Sequence, residues 1–70
     1  MLYINWVKTM DNLQSAIAHA GLKKSDFAHA IGVSPQSLSR YFSCKDTPTA
    51  ETFARMQQEV PFQVVWVHTK

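Results

Sequence analysis

Gln36, Ser39, Arg40 and Ser43 are the residues whose types and spacing best suit chemistry at a surface. On an α-helix each residue advances about 100°, which places Ser39, Arg40 and Ser43 within roughly 60° of Gln36. Ser37 falls on the flank, and Leu38, Tyr41 and Phe42 fall on the opposite side. One face is polar and the other apolar. A solvated helix face more often carries Glu and Lys, yet no acid occurs from Ser34 to Cys44. Amide, hydroxyl and guanidinium groups instead match base edges. Gln pairs bidentately with adenine and Arg with guanine in the major groove of a duplex. Gln36, Ser37, Ser39 and Arg40 are the candidate base contacts.

Such a helix needs a start and a support. Ser34 suits an N-cap and Pro35 suits the first helical position, where its missing N–H costs nothing. A short helix over Lys23–Ile31 precedes it, with Phe27, Ala28 and Ile31 as an apolar stripe and Gly32 as its stop. Ala28 is small where two helices cross, Gly32 permits a positive φ, and Val33 and Leu38 supply apolar contacts. These are the features of a helix-turn-helix.

The remaining elements frame that unit. Met10, Leu13, Ile17 and Ala20 give a first helix over Thr9–Ala20, capped by Thr9, with Asp11 in its first turn and Gly21 as its stop. Thr49 caps a last helix to Val60, with Phe53, Met56 and Val60 facing inward and Pro61 beyond. Leu2–Lys8 reads as a strand or as an early start of the first helix. Phe62–Thr69 reads as a strand with Phe62, Val64, Trp66 and His68 on one face. Val65 and Val67 make its other face apolar as well. A two-stranded ribbon is poorly stable alone, so a second copy of the chain is expected to cover it. Val64, Val65, Trp66 and Val67 are the candidate dimer contacts. Trp6 and Trp66 are better matched to packing than to stacking on single-stranded bases.

The segment from Lys24 to Ser43 resembles the DNA-binding unit of the phage repressor and Cro family. The matching residues are Phe27-Ala28, Ile31-Gly32-Val33-Ser34, Leu38 and Tyr41. The likeness extends over roughly Met10 to Val60, through a loop at Lys45–Ala50 and the helix bearing Phe53. Two positions depart from the pattern: Lys23 stands where the family usually caps with Thr or Ser, and Cys44 stands near a usual Gly. The terminal strands are similar to additions in some Cro-type proteins. The resemblance implies a single domain over residues 1–70, mostly α, with four helices and an antiparallel ribbon joining the termini. It implies a regulator that binds double-stranded DNA at a near-palindromic operator as a homodimer, and the apolar faces of the last strand put the expected joint at residues 62–69. It places Lys23, Lys24, Ser34, Ser43 and Lys45 on the DNA backbone. An alternative is an antitoxin-like or phage accessory protein whose strands bind another protein while its DNA unit is autoregulatory.

Charge and composition agree with a nucleic-acid partner. The formal net charge is +2 and the pI about 8.9. From Leu22 to Lys45 the charges are Lys23, Lys24, Arg40 and Lys45 against Asp26, a local +3 that leaves −1 for the remainder. Positive charge is concentrated where phosphates would lie. The 70 residues suffice for one small domain and exclude a large multi-domain enzyme. Charged residues are only 17%, below the usual share of about 25%, so the surface is either mostly neutral polar or partly hidden by a partner. The lone Cys44 excludes an internal disulfide and a Cys-rich zinc module. His19, His29 and His68 have no spacing that would orient a base or gather a metal, so no enzyme, cofactor or small-molecule substrate is expected. No apolar run approaches a membrane span, and no basic region leads into an apolar one at the start of the chain. A cytoplasmic protein is the expectation.

Overall fold

The computed structural model describes residues 1–69. The elements in order are β1 (Leu2–Ile4), α1 (Trp6–His19), α2 (Lys24–Ala30), α3 (Pro35–Phe42), α4 (Ala50–Glu59) and β2 (Trp66–His68). The expected mostly helical fold, with four helices and an antiparallel pair of terminal strands, is present. Met10, Leu13 and Ile17 of α1 meet Phe27, Ala28, Ile31, Leu38, Met56 and Val60 in one buried cluster. The core therefore sits behind α3, which packs against both α1 and α2.

The first helix starts at Trp6, three residues before the expected Thr9 cap, and β1 ends at Ile4 rather than Lys8. Asn5 is the reason. Its Oδ1 accepts from the Lys8 amide at 3.1 Å, which satisfies a first-turn donor that otherwise lacks a partner. Strand and early helix both occur in the stretch that the sequence left open. Asp11 thereby lies beyond the first turn. Trp6 packs edge-on against Phe53 at 5.2 Å between centroids, and Phe53 meets Phe62 in the same way at 5.8 Å.

Thr9 is not a cap but a fully buried clamp. The Asn5 amide donates to the Val65 carbonyl at 2.7 Å, while the Asn5 carbonyl is taken by the Thr9 amide as α1 begins. The Val65 amide therefore cannot complete the usual reciprocal pair. It donates instead to Thr9 Oγ1 at 3.0 Å. A buried N–H without an acceptor would be costly, and the Thr9 hydroxyl removes that cost.

The last strand is also shorter than the expected Phe62–Thr69, covering only Trp66–His68. With β1 limited to Leu2–Ile4, the chain before Trp66 has no strand to pair with. It runs along α1 instead, where Asn12 Nδ2 donates to the Gln63 carbonyl at 2.9 Å. Phe62 turns into the aromatic cluster while Trp66 stays exposed. The alternation expected to put these two residues on one face does not hold, because the strand begins only at Trp66.

α1, α2 and α3 end in the same way. The residue after each C-cap adopts positive φ: Gly21 at 73°, Gly32 at 77° and Cys44 at 59°. In each the next amide reaches back to the helix: Leu22 to the Ile17 carbonyl, Val33 to Ala28 and Lys45 to Arg40. This double closure satisfies last-turn carbonyls and favours glycine. Cys44 thus takes a left-handed conformation that glycine suits and that costs an L-residue about 1–2 kcal/mol. Cys44→Gly is expected to stabilise the domain by about 0.5–1 kcal/mol after the greater chain entropy of glycine is counted. A thermal melt followed by circular dichroism should shift upward by a few degrees; a lower midpoint would contradict the cap.

Candidate nucleic-acid interface

The α2–α3 unit is built around Ala28, fully buried on α2, and Leu38, buried on α3. Between them Gly32 makes the turn at positive φ. A Cβ there would lie 2.9 Å from Arg55 Nη1, the mobile end of an exposed side chain that can shift, so the backbone angle is what calls for glycine. Arg55 is held near that turn by Glu51, whose Oε1 accepts from Nη2 at 3.0 Å. Ser34 then caps α3, its Oγ accepting from the Ser37 amide at 3.1 Å, with Pro35 in the first turn.

These features orient α3. Leu38 is buried and Tyr41 and Phe42 are half-buried against the core. Gln36, Ser39, Arg40 and Ser43 are all exposed. The polar face expected from the helical period is presented to solvent as one surface. Ser37 lies on its edge, half-buried, with its Oγ accepting from Ser34 Oγ at 3.0 Å. Ser34 is exposed, but its hydroxyl is committed to the cap.

Basic residues border this surface. Lys23, at the N-cap position of α2, makes no side-chain cap hydrogen bond and extends into solvent. Lys24 Nζ lies over the Phe42 ring at 5.5 Å from its centroid. That contact brings the start of α2 beside the end of α3, the end that leads to Ser43 and Lys45. Lys45 is exposed. Among the described residues none of these three lysines has an acidic partner within ion-pair distance.

Arg40 differs. Its Nε donates to Asp46 Oδ2 at 2.7 Å. The local +3 that ends at Lys45 omits this carboxylate, which sits directly on the polar face. Asp46 lies six positions after Arg40, a spacing that no helix brings together. The left-handed turn at Cys44 folds it back, and only the turn geometry exposes the pairing.

The proposed interface residues of the last strand divide in two. Val64, Val65 and Val67 are half-buried, and Val65 is tied by both its amide and its carbonyl to the Asn5–Thr9 segment. Trp66 is 55% exposed, together with Leu2 at 57% and Tyr3 at 47%. The pairs Leu2–His68 and Ile4–Trp66 share one side of the ribbon and Tyr3–Val67 the other. His29 and Cys44 are exposed. Among the described residues no cluster of His, Cys, Asp or Glu suits a metal ion, and no helix is long and apolar enough to cross a membrane.

Residues 13–59 match the model of the helix-turn-helix family. No curated protein and no solved structure matches the chain.

Proposed function

Because the chain belongs to the helix-turn-helix family of DNA-binding regulators, we propose that it is a sequence-specific regulator of the Cro and repressor type, which reads the major groove with α3 as a homodimer. The observation that carries this reading is the solvent-facing set Gln36, Ser39 and Arg40 on a helix held rigidly from behind by Leu38. Gln36 and Arg40 read base edges, Ser39 is short enough to approach either strand, and Ser37 assists from the flank. Lys23, Lys24, Ser43 and Lys45 hold phosphates on both sides of the groove. Ser34 adds a contact there through its exposed position at the start of α3, although its hydroxyl also serves the cap.

The dimer forms through the terminal ribbon. Val65 and Thr69 turn main-chain groups toward β1, so by the alternation of an antiparallel pair those of Trp66 and His68 point to the open edge. An open edge beside exposed Leu2, Tyr3 and Trp66 suits pairing with a second copy. Trp66 is the centre of this interface; Val64, Val65 and Val67 support it from below. Two copies place two α3 helices about 34 Å apart, one turn of DNA, on a near-palindromic operator. Occupying such a site represses a promoter or competes for it.

Lys24→Ala tests the phosphate frame. It is expected to weaken binding to specific and unrelated duplexes alike. The slope of log K against log salt should flatten by about 0.9 for each phosphate contact removed. An unchanged slope with preserved affinity would take Lys24 off the backbone.

A further inference from the structure

We propose that Asp46 is a positioning residue for Arg40 and makes the protein select guanine at the base pair that Arg40 meets. The proposal rests on the reading of α3 as the base-reading helix. Four observations carry it. Asp46 Oδ2 accepts from Arg40 Nε at 2.7 Å. Both side chains are exposed, 60% for Arg40 and 50% for Asp46, so the pair adds little to stability. Among the described residues neither terminal amino group of Arg40 has a hydrogen-bond partner, which leaves the outer fork of the guanidinium open. Finally, Asp46 follows Lys45 directly, at a surface where an acid repels the phosphates of a duplex.

Removing a carboxylate there would strengthen binding to any DNA, so Asp46 works against sequence-independent affinity. What the acid offers in return is order. A free Arg side chain has many rotamers, and fixing it on binding costs affinity. Asp46 fixes Arg40 in advance by the one N–H that base reading does not need. The two amino groups then face outward in the fork that matches the O6 and N7 acceptors of guanine. The backbone supports the arrangement: the left-handed turn at Cys44 brings the Asp46 amide to 3.4 Å from the Arg40 carbonyl. Asp46 thus weakens sequence-independent binding and sharpens choice at one base pair, opposite effects from a single carboxylate.

The test is a set of titrations with Asp46→Ala, Asp46→Asn, Arg40→Ala and the Arg40→Ala, Asp46→Ala double variant. Each is checked for native helicity by circular dichroism. The probes are the duplex selected by the wild-type protein, its single-base-pair variants, and an unrelated duplex. Asp46→Ala is expected to reduce the preference for guanine at the Arg40 position by about twofold to tenfold, the cost of ordering one long side chain. Its binding to the unrelated duplex should rise at low salt. Asp46→Asn keeps an acceptor and should retain most of the preference. With Arg40 already Ala, removing Asp46 should cost no further preference at that pair. Undiminished guanine preference in Asp46→Ala, or an equal loss with and without Arg40, would overturn the proposal while leaving α3 as the reading helix. A wild-type protein that selects no sequence would instead remove the base-reading helix itself, and the proposal with it.

Discussion

Phe27→Ala is expected to remove a large share of the domain's stability and to lower its urea midpoint sharply. Phe27 is among the largest fully buried side chains and sits at the first turns of α2, within the cluster formed by α1, α3 and α4. Truncating a buried Phe costs about 3–5 kcal/mol, part from lost transfer energy and part from the cavity left behind. A chain of this length has a total stability of roughly 4–10 kcal/mol. The loss is therefore a large share of the whole. Urea titration of the wild-type and variant proteins, followed by circular dichroism, reads the difference. A variant whose midpoint barely moves would mean that the α2 position is not held by this contact. The functional consequence follows, because α2 and the turn at Gly32 set the angle at which α3 is presented.

Arg40→Ala is expected to cost about 1–3 kcal/mol of specific binding, about 5- to 150-fold in Kd. The loss should concentrate at one base pair: the variant should tolerate substitutions there that the wild-type protein rejects. Arg40 is exposed on the polar face of α3 and is already oriented by Asp46, so its removal takes away a pre-ordered fork rather than a flexible charge. This pattern separates Arg40 from Lys24, whose loss should be uniform over sequences. Equal tightness and equal selectivity in Arg40→Ala would shift the reading register along α3, toward Gln36 and Ser39.

The helical core and the two-sided character of α3 were legible because both rest on short-range rules. Ser34-Pro35 announces a helix start, Gly21 and Gly32 announce stops, and a 3.6-residue period divides Leu38 from Gln36 and Arg40. The match over residues 13–59 covers this same region. The elements that were misjudged depend on partners distant in sequence. Asn5 and Thr9 are both acceptable caps, and which one starts α1 is decided by Val65, 56 residues from Thr9, whose amide needs the Thr9 hydroxyl. The true extent of β2 depends in turn on how early α1 begins. Phe62 to Val65 look like strand residues, yet with β1 ended at Ile4 they follow α1 instead. In the candidate site the missed residue is Asp46. It reaches Arg40 only because Cys44 takes a left-handed conformation that its residue type does not advertise.

The most direct test of the central claim is selection from a pool of random duplex DNA by the purified protein, followed by titration of the recovered sequence at two salt concentrations with stoichiometry read out. The account predicts an inverted repeat with half-sites about one helical turn apart and two chains per duplex. It also predicts a specific affinity that exceeds binding to unrelated DNA at both salts. Weak, salt-sensitive binding with no preferred sequence would contradict it. The exposed ribbon around Trp66 would then be the place to look for a protein partner.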